Sequence, residues 1–485
     1  MALSLGKGLT TVVALVAGMV MARLLTQAEL ATYRQTMLAY NVALPLLGLG
    51  IPHAIYYFLP TENTRARGLV VDGLVMMMVM GLLYAIFIAL GGNHLLAKRF
   101  SNPAIVNTLA YLVPLPLVML PAGLLASVMV VQEQVNKLAV FNVLTNLLLV
   151  TSLIVACLLW KTPESMILVR VGISIVIGLI AITFMLKVVP KDDWRPRLSN
   201  MKTMIAFSTP LVLAGAVGTI SLQLDKIIVS AMCSPEEFAV YSTGAMKIPF
   251  IGMITGSIAS VILPDLRRMV AGGDHAAALA LFRKAAEQSA VFLIPIMMFL
   301  LVSAEPFILT LFSSKYAGSV LPFRLYLLIL PVRIVMFGSI MTALGLNKMI
   351  LYRSIIALIS NLFLSVIFVH FWGYIGAIIA TIVTIYLVSC AWNFAVIGKA
   401  THHSWRLIVP FGTVLTLAWA SALACLPVAG LMSLTRHLAP FTRLATNGAC
   451  FAFALVGLAW VLRVEPLMRA GGELANHMAS RLRKR

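Results

Sequence analysis

Residues 207–241 read FSTPLVLAGAVGTISLQLDKIIVSAMCSPEEFAVY. The run is long enough to cross a bilayer, yet it carries Asp225 and Lys226 side by side. A charge at the centre of a membrane helix costs about 2.5–3.5 kcal/mol on insertion scales. A polar surrounding must offset that cost. Thr219, Gln223, Lys226 and Ser230 recur at intervals of four, three and four, which sets them on one helical face. The stretch therefore predicts a membrane helix with a polar stripe lining a wet cavity between helices.

Working outward, the whole chain has this apolar character. Of its 485 residues 61% are hydrophobic and 11% charged, against about 25% charged in a soluble domain, and its mean hydropathy is +1.00. Apolar runs of bilayer-crossing length predict an all-α polytopic membrane protein with about 14 transmembrane helices. They fall near 9–25, 42–59, 69–90, 105–131, 138–160, 166–189, 204–233, 238–263, 291–312, 320–344, 351–371, 374–397, 407–428 and 444–462. The five cysteines are scattered, mostly inside these runs, and have neither metal-ligand nor disulfide spacing.

The formal charge of +20 comes from cations placed between apolar runs, which points to anionic lipids as partners and not to nucleic acid. With the N-terminus inside, 23 of the 36 Lys and Arg fall on the cytoplasmic side and 10 outside, while Lys226, Lys247 and Arg333 lie within spans. That bias puts both termini in the cytoplasm. Residues 274–287 open on Asp274 in N-cap position and predict a separate amphipathic helix at the membrane surface.

Three pairs of segments recur at one spacing. LTQAELATY (25–33) matches CSPEEFAVY (233–241); GLGIPHAIYYFLP (48–60) resembles GSIASVILP (256–264); VNKLAVFNVLTNLLL, from Val135, resembles LNKMILYRSIIALISNLFL, from Leu346. Six spans separate each pair, so the repeats run parallel. The expected organisation is an N-lobe of helices 1–6 (1–190), a cytoplasmic linker (191–203), a C-lobe of helices 7–12 (204–398), helices 13–14 (405–463) and a basic tail (464–485). The two six-helix lobes would enclose a central cavity, with the C-terminal helix pair beside them. Asp225, Lys226, Lys247 and Arg333 match Ala17, Gly18, Ala39 and Ala122 in the first copy. The intramembrane cations are thus expected in the second lobe alone, and residues beyond what the scaffold repeats point to function, the alternative being a structural ion pair of Asp225 with Lys226 or Lys247.

The pattern FSTPL, twelve residues, LDK, then EEFAVY, with ARLLTQAELATY after the first span and LGLGIPHAIYYFLP closing the second, resembles the Wzx-like polysaccharide flippases. These belong to the multidrug/oligosaccharidyl-lipid/polysaccharide (MOP) exporter superfamily. The resemblance covers nearly the whole chain. It implies translocation of an undecaprenyl-diphosphate-linked oligosaccharide across the bacterial inner membrane by alternating access, in the company of a polysaccharide polymerase and glycosyltransferases. A cation-coupled multidrug antiporter and a lipid II flippase are the alternatives within the superfamily. Lipid II flippases hold the diphosphate with arginines low in the first lobe, a cluster this sequence does not show.

Diphosphate recognition needs cationic donors in a low-dielectric site. Lys226, Lys247 and Arg333 are the candidates; Thr219, Gln223, Tyr40 and Asn41 offer hydrogen bonds to sugar hydroxyls, and Asp225 is the candidate for ion coupling. No nucleotide loop, metal motif or nucleophile elbow is present in the sequence, so neither a cofactor nor an enzymatic reaction is expected.

Overall fold

The computed structural model describes residues 2–62, 64–246, 248–404, 407–461, 465 and 467–468, with side chains from residue 13 onward except at 213, 214, 249 and 250. Every regular element among them is helical. The chain forms two compact units, Met1–Ala239 with Val369–Tyr374, and Val240–Phe368 with Ile375–Arg485.

In the first unit α1 (Ala2–Leu24) leads through Thr26 into α2 (Gln27–Leu47). The start of α2 is fixed by a capping box: Glu29 N–H donates to Thr26 Oγ1 at 3.2 Å, and Thr26 N–H donates to Glu29 Oε2 at 2.8 Å. Two otherwise unsatisfied helix-end donors are thereby paired. Pro45 and a turn at Gly48–Gly50 separate α2 from α3 (Ile51–Phe58). Gly50 is left-handed at φ +62°, and a Cβ there would stand 2.9 Å from Val212 Cγ2. Only glycine gives both the turn and the close approach of the helix carrying Val212.

The unit continues with α4 (Ala66–Phe87), α5 (Asn93–Arg99), α6 (Ile105–Tyr111), α7 (Pro114–Ala122), α8 (Leu125–Val131), α9 (Val135–Trp160), α10 (Pro163–Val188) and α11 (Leu198–Met232). Its core is apolar side chains of α3, α4, α8 and α10, among them Ile51, Ile55, Val70, Met77, Val128, Met129 and Met185. The lipid side is equally legible. Val140, Leu144, Leu148, Val155 and Leu159 are exposed along one edge of α9, as suits a helix whose outward face meets hydrocarbon.

The boundary between units falls within α12 (Pro235–Gly244). The second unit holds α13 (Pro249–Ala271), α14 (His275–Val302), α15 (Ala304–Phe312), α16 (Val320–Leu327), α17 (Leu330–Ile334), α18 (Phe337–Ala343), most of α19 (Asn347–Trp372) and α20 (Tyr374–Val383), α21 (Ala391–Thr401), α22 (Phe411–Leu434) and α23 (Pro440–Val461). The last two helices pack on α14 through Ala424, Val428 and Phe451, with Met298 and Phe299 against them.

Among the described residues ten helices are long and apolar enough to cross a membrane, or up to twelve if two bent pairs each count once. The protein is a multi-pass membrane protein, and its described residues show fewer continuous spans than the fourteen expected. The run at 9–25 is represented among the described residues by the short apolar helix Val13–Leu24 alone, and the run at 204–233 is bent by 41° between Leu198–Val212 and Gly215–Met232. The run at 105–131 keeps one span, Pro114–Val131, preceded by the separate α6, and the run at 320–344 divides into α16, α17 and α18 around Pro331 and Met336. The run at 238–263 is interrupted between α12 and α13. A second difference concerns residues 274–287. Asp274 does cap the helix, accepting from Ala277 N–H at 2.9 Å, but the helix then runs on as α14 to Val302. Alanines and long-chain helix formers fill the junction and nothing there breaks the helix, so no separate surface helix forms.

The recurrence seen in sequence returns in the backbone. Ser234 and Glu237 repeat the Thr26–Glu29 capping box, with Glu237 N–H on Ser234 Oγ at 3.2 Å and Ser234 N–H on Glu237 Oε2 at 2.9 Å. Positive φ occurs at Ser101, Glu133 and Lys161, and again at Ser313, Gly345 and Gly373, 212 residues later in each case. α9 and α19 are both 26 residues long and both end on an exposed tryptophan, Trp160 and Trp372, the residue enriched where helices leave the bilayer.

Candidate functional site

Helix α11 carries four of the eight candidate residues, and its seating follows from its neighbours in the first unit. Near its start Phe207 stacks on Tyr57 with ring centroids 4.5 Å apart and meets Phe58 edge-on at 5.3 Å. One turn from its end Ser230, fully buried, accepts from Gln35 Nε2 at 2.9 Å. Gln35 also donates to the Phe100 carbonyl (3.3 Å) and accepts from Asn102 Nδ2 (2.7 Å), which reaches Thr32 Oγ1 as well (3.0 Å). Thr36 and Thr108 share a 2.6 Å hydrogen bond beside them. A polar cluster excluded from both lipid and water must be satisfied internally, and here the side-chain amides and hydroxyls satisfy one another.

This cluster corrects the reading of the polar stripe. Ser230 does not line a wet cavity but ties α11 to α2. Thr219, Gln223, Asp225 and Lys226 are half-buried. Lys226 makes no hydrogen bond or ion pair among the described residues. On α2, Tyr40 is buried and Asn41 exposed. Arg333 is exposed in the short helix α17 of the second unit. Lys247 lies outside the described residues.

Two further arginines lie inside helices of bilayer length. Arg170 sits two turns into α10, half-buried, and donates to Tyr33 Oη at 3.4 Å. Its Nε and the Tyr84 hydroxyl are buried without a hydrogen-bond partner among the described residues. In the second unit Arg353, near the start of α19, donates to Asn393 Oδ1 at 3.3 Å. Both arginines lie within two turns of a helix end, where sequence counting assigns them to the loops.

A second polar centre lies where residues 191–197 meet residues 62–72. Asp72, fully buried on α4, accepts Arg65 Nη1 at 2.9 Å and Nη2 at 3.4 Å, and also the Arg197 backbone N–H at 2.8 Å. Arg65 Nη2 donates further to the Arg195 carbonyl. Asp192 accepts Arg67 N–H at 2.9 Å, and Asp193 accepts Arg195 N–H at 3.1 Å and Arg197 Nη2 at 3.0 Å. Residues 191–197 are thus strapped onto residues 62–72. The Arg195 N–H, followed by the Arg197 guanidinium, holds the Asp193 carboxyl below its usual range. The Thr64 hydroxyl and N–H do the same for Glu62. Gly68 is essential to the fit: a Cβ would come within 2.5 Å of the Asp193 carbonyl and 2.6 Å of Arg65 Cγ. Arg65 is the non-helical N-cap of α4, so hydropathy and charge counting place it in a loop, and neither its pairing with Asp72 nor the meeting with a linker 125 residues away was read from sequence.

Comparison with known proteins places this geometry. Residues 20–321 match the family described as polysaccharide biosynthesis protein, and the chain belongs to that family. Among curated relatives it is 30% identical over 120 residues to a probable lipid II flippase MurJ of Rhizobium meliloti, covering 24% of this chain and 22% of the relative. It is 26% identical over 255 residues to a probable lipid II flippase MurJ of Vibrio cholerae, covering 48% and 45%. Each alignment spans less than half the length of the relative it matches. Among solved structures, the lipid II flippase MurJ in an inward closed conformation superposes with a TM-score of 0.73 at 14% identity, covering 95% of this chain and 98% of the other. An inward-facing multidrug resistance MATE transporter of the MOP superfamily superposes at 0.61 with 15% identity, covering 81% and 96%. At these identities the structures establish a fold shared with these MurJ and MATE structures.

Proposed function

We propose that this protein moves an undecaprenyl-diphosphate-linked oligosaccharide from the cytoplasmic to the outer leaflet of the bacterial inner membrane by alternating access, with both termini in the cytoplasm. One observation carries the reading. The polysaccharide-family match runs through α11, where Lys226 lies half-buried among apolar turns with no ion-pair partner among the described residues. A retained ammonium in a span marks a substrate or ion pathway, and a diphosphate is the anion this family's lipid carriers present. In this reading Lys226, Lys247 and Arg333 hold the diphosphate. Thr219, Gln223, Tyr40 and Asn41 meet sugar hydroxyls, and Asp225 couples an ion. An inside-negative potential assists outward movement of an anionic head by about 2.3 kcal/mol per charge per 100 mV.

The test is complementation of cells blocked in surface-glycan export. The protein should restore the surface glycan, and Lys226→Glu should abolish restoration at unchanged membrane abundance. Full export by Lys226→Glu would remove Lys226 from the site. The curated relatives favour one second reading, transport of lipid II. Rescue of cells depleted of their lipid II flippase, with no rescue of glycan export, would replace the first reading by the second. Dye efflux without either rescue would favour the multidrug antiporter.

A further inference from the structure

The strap at 191–197 sorts its charges by direction. Its two carboxylates are engaged by the protein, Asp192 by the Arg67 backbone and Asp193 by Arg195 N–H and the Arg197 guanidinium. Arg195 contributes only its backbone N–H and carbonyl to these bonds. The Lys191 and Arg195 side chains are exposed and bond to nothing in the protein among the described residues. Beside them Trp194 is 64% exposed and Leu198 76% exposed. The sequence KDDWRPRL, whose formal charge is close to balanced, therefore presents cations and two large apolar side chains on its outer surface.

Position narrows what can cover that surface. The strap joins the end of a bilayer-length helix, Val188 of α10, to the start of α11 at Leu198, whose two arms, Leu198–Val212 and Gly215–Met232, are together long and apolar enough to cross a membrane. It is held flat against the first unit by bonds to Asp72 and Arg67. A nine-residue connection between two membrane-crossing elements is expected at the level where hydrocarbon meets head groups. Tryptophan concentrates at that level, and exposed Lys and Arg there gain from anionic lipid. We infer that residues 191–198 form a docking surface for anionic phospholipid head groups, with Lys191 and Arg195 meeting phosphate and Trp194 and Leu198 seated at the acyl boundary. The strap passes directly into α11, so the lipid contact fixes the height in the bilayer of the helix that carries Asp225 and Lys226. The inference is independent of the transported substrate.

The full-length protein serves as the test, in nanodiscs of phosphatidylcholine alone or with increasing phosphatidylglycerol. An environment-sensitive dye is attached at Ser199→Cys in a Cys450→Ala background; the remaining four cysteines are buried. Anionic lipid should shift the dye to the blue, and added salt should flatten the shift. Loss of each cation should weaken the response about fivefold, so Lys191→Gln/Arg195→Gln should respond about thirtyfold less steeply. Lys191→Arg/Arg195→Lys should respond as the parent does. Both pairs lie outside the strap's internal side-chain bonds, so correct folding is checked by unchanged hydrogen exchange at 62–72. An identical response from the Gln pair, or no dependence on phosphatidylglycerol, overturns the inference. So does a shift that needs cytosolic protein, which would make the surface a protein-binding site.

Discussion

Replacing Asp72 by Asn isolates the strap. Asp72 is fully buried and Arg65 is 4% exposed, so the guanidinium loses its close counter-charge without gaining water. Breaking a buried pair by removing one partner costs about 3–5 kcal/mol. Arg65 keeps the Arg195 carbonyl and a carboxylate oxygen of Asp193 at 3.8 Å, which sets the expectation at the lower end, about 3 kcal/mol. That free energy is about 150-fold in the equilibrium for local opening. Hydrogen exchange of the peptide covering 190–198 reads this directly, because the Arg197 N–H is protected by Asp72 itself. Protection there should fall by two orders of magnitude, while amides in the middle of α9 keep theirs. Replacing both partners by apolar residues, Arg65→Met with Asp72→Leu, should recover part of the loss at α4, since the uncompensated charge is gone. Arg197 protection within tenfold of the parent in Asp72→Asn would refute the reasoning: the bond drawn between α4 and the linker would then contribute little.

Other outcomes follow from the same geometry. Gly68→Ala forces a methyl into the Asp193 carbonyl and the Arg65 side chain, and should lower stability by about 1–3 kcal/mol, seen as a reduced unfolding temperature in detergent; an unchanged midpoint would contradict the close approach. Gln35→Leu strands Asn102 and Ser230 without their shared partner and should cost about 1–2 kcal/mol in reversible unfolding, with no loss if the cluster is idle. Acidification should loosen the strap. The carboxyls of Asp193 and Glu62 titrate below their ordinary values. Their bonds therefore contribute above the unfolded-state value near 4 and are lost as pH falls through the lowered folded values. Exchange at 62–67 and 190–198, corrected for intrinsic rates, should be flat from pH 7 to about 5 and rise steeply below about 4.

Sequence reading reached far into this fold where physics is local. Apolar run length gave the helical membrane class, and the match of CSPEEFAVY to LTQAELATY marked two positions that turn out to share one capping box. Helix breaks were harder, because hydropathy does not see Pro114 or Pro331 as interruptions when both neighbours stay apolar. α14 was misread for the opposite reason: Arg283, Lys284 and Glu287 suggested a boundary where helix propensity kept the chain continuous. Within the site, periodicity found the polar face of α11 but could not assign each residue a partner. Ser230 belongs with Gln35, 195 residues earlier, and nothing in either local sequence states that pairing. Arg170 was hidden by its nearness to a helix end, where charge is ordinarily read as loop.

The spacing of the strap's partners also bears on how the chain is made. Asp72 enters α4 some 125 residues before Arg197 leaves the ribosome, an interval in which three further apolar spans must be threaded into lipid. A bare carboxylate waiting that long would oppose insertion of α4. Arg65, seven residues upstream and already synthesised, neutralises it from the outset, so the receptor for the linker is assembled before the linker exists.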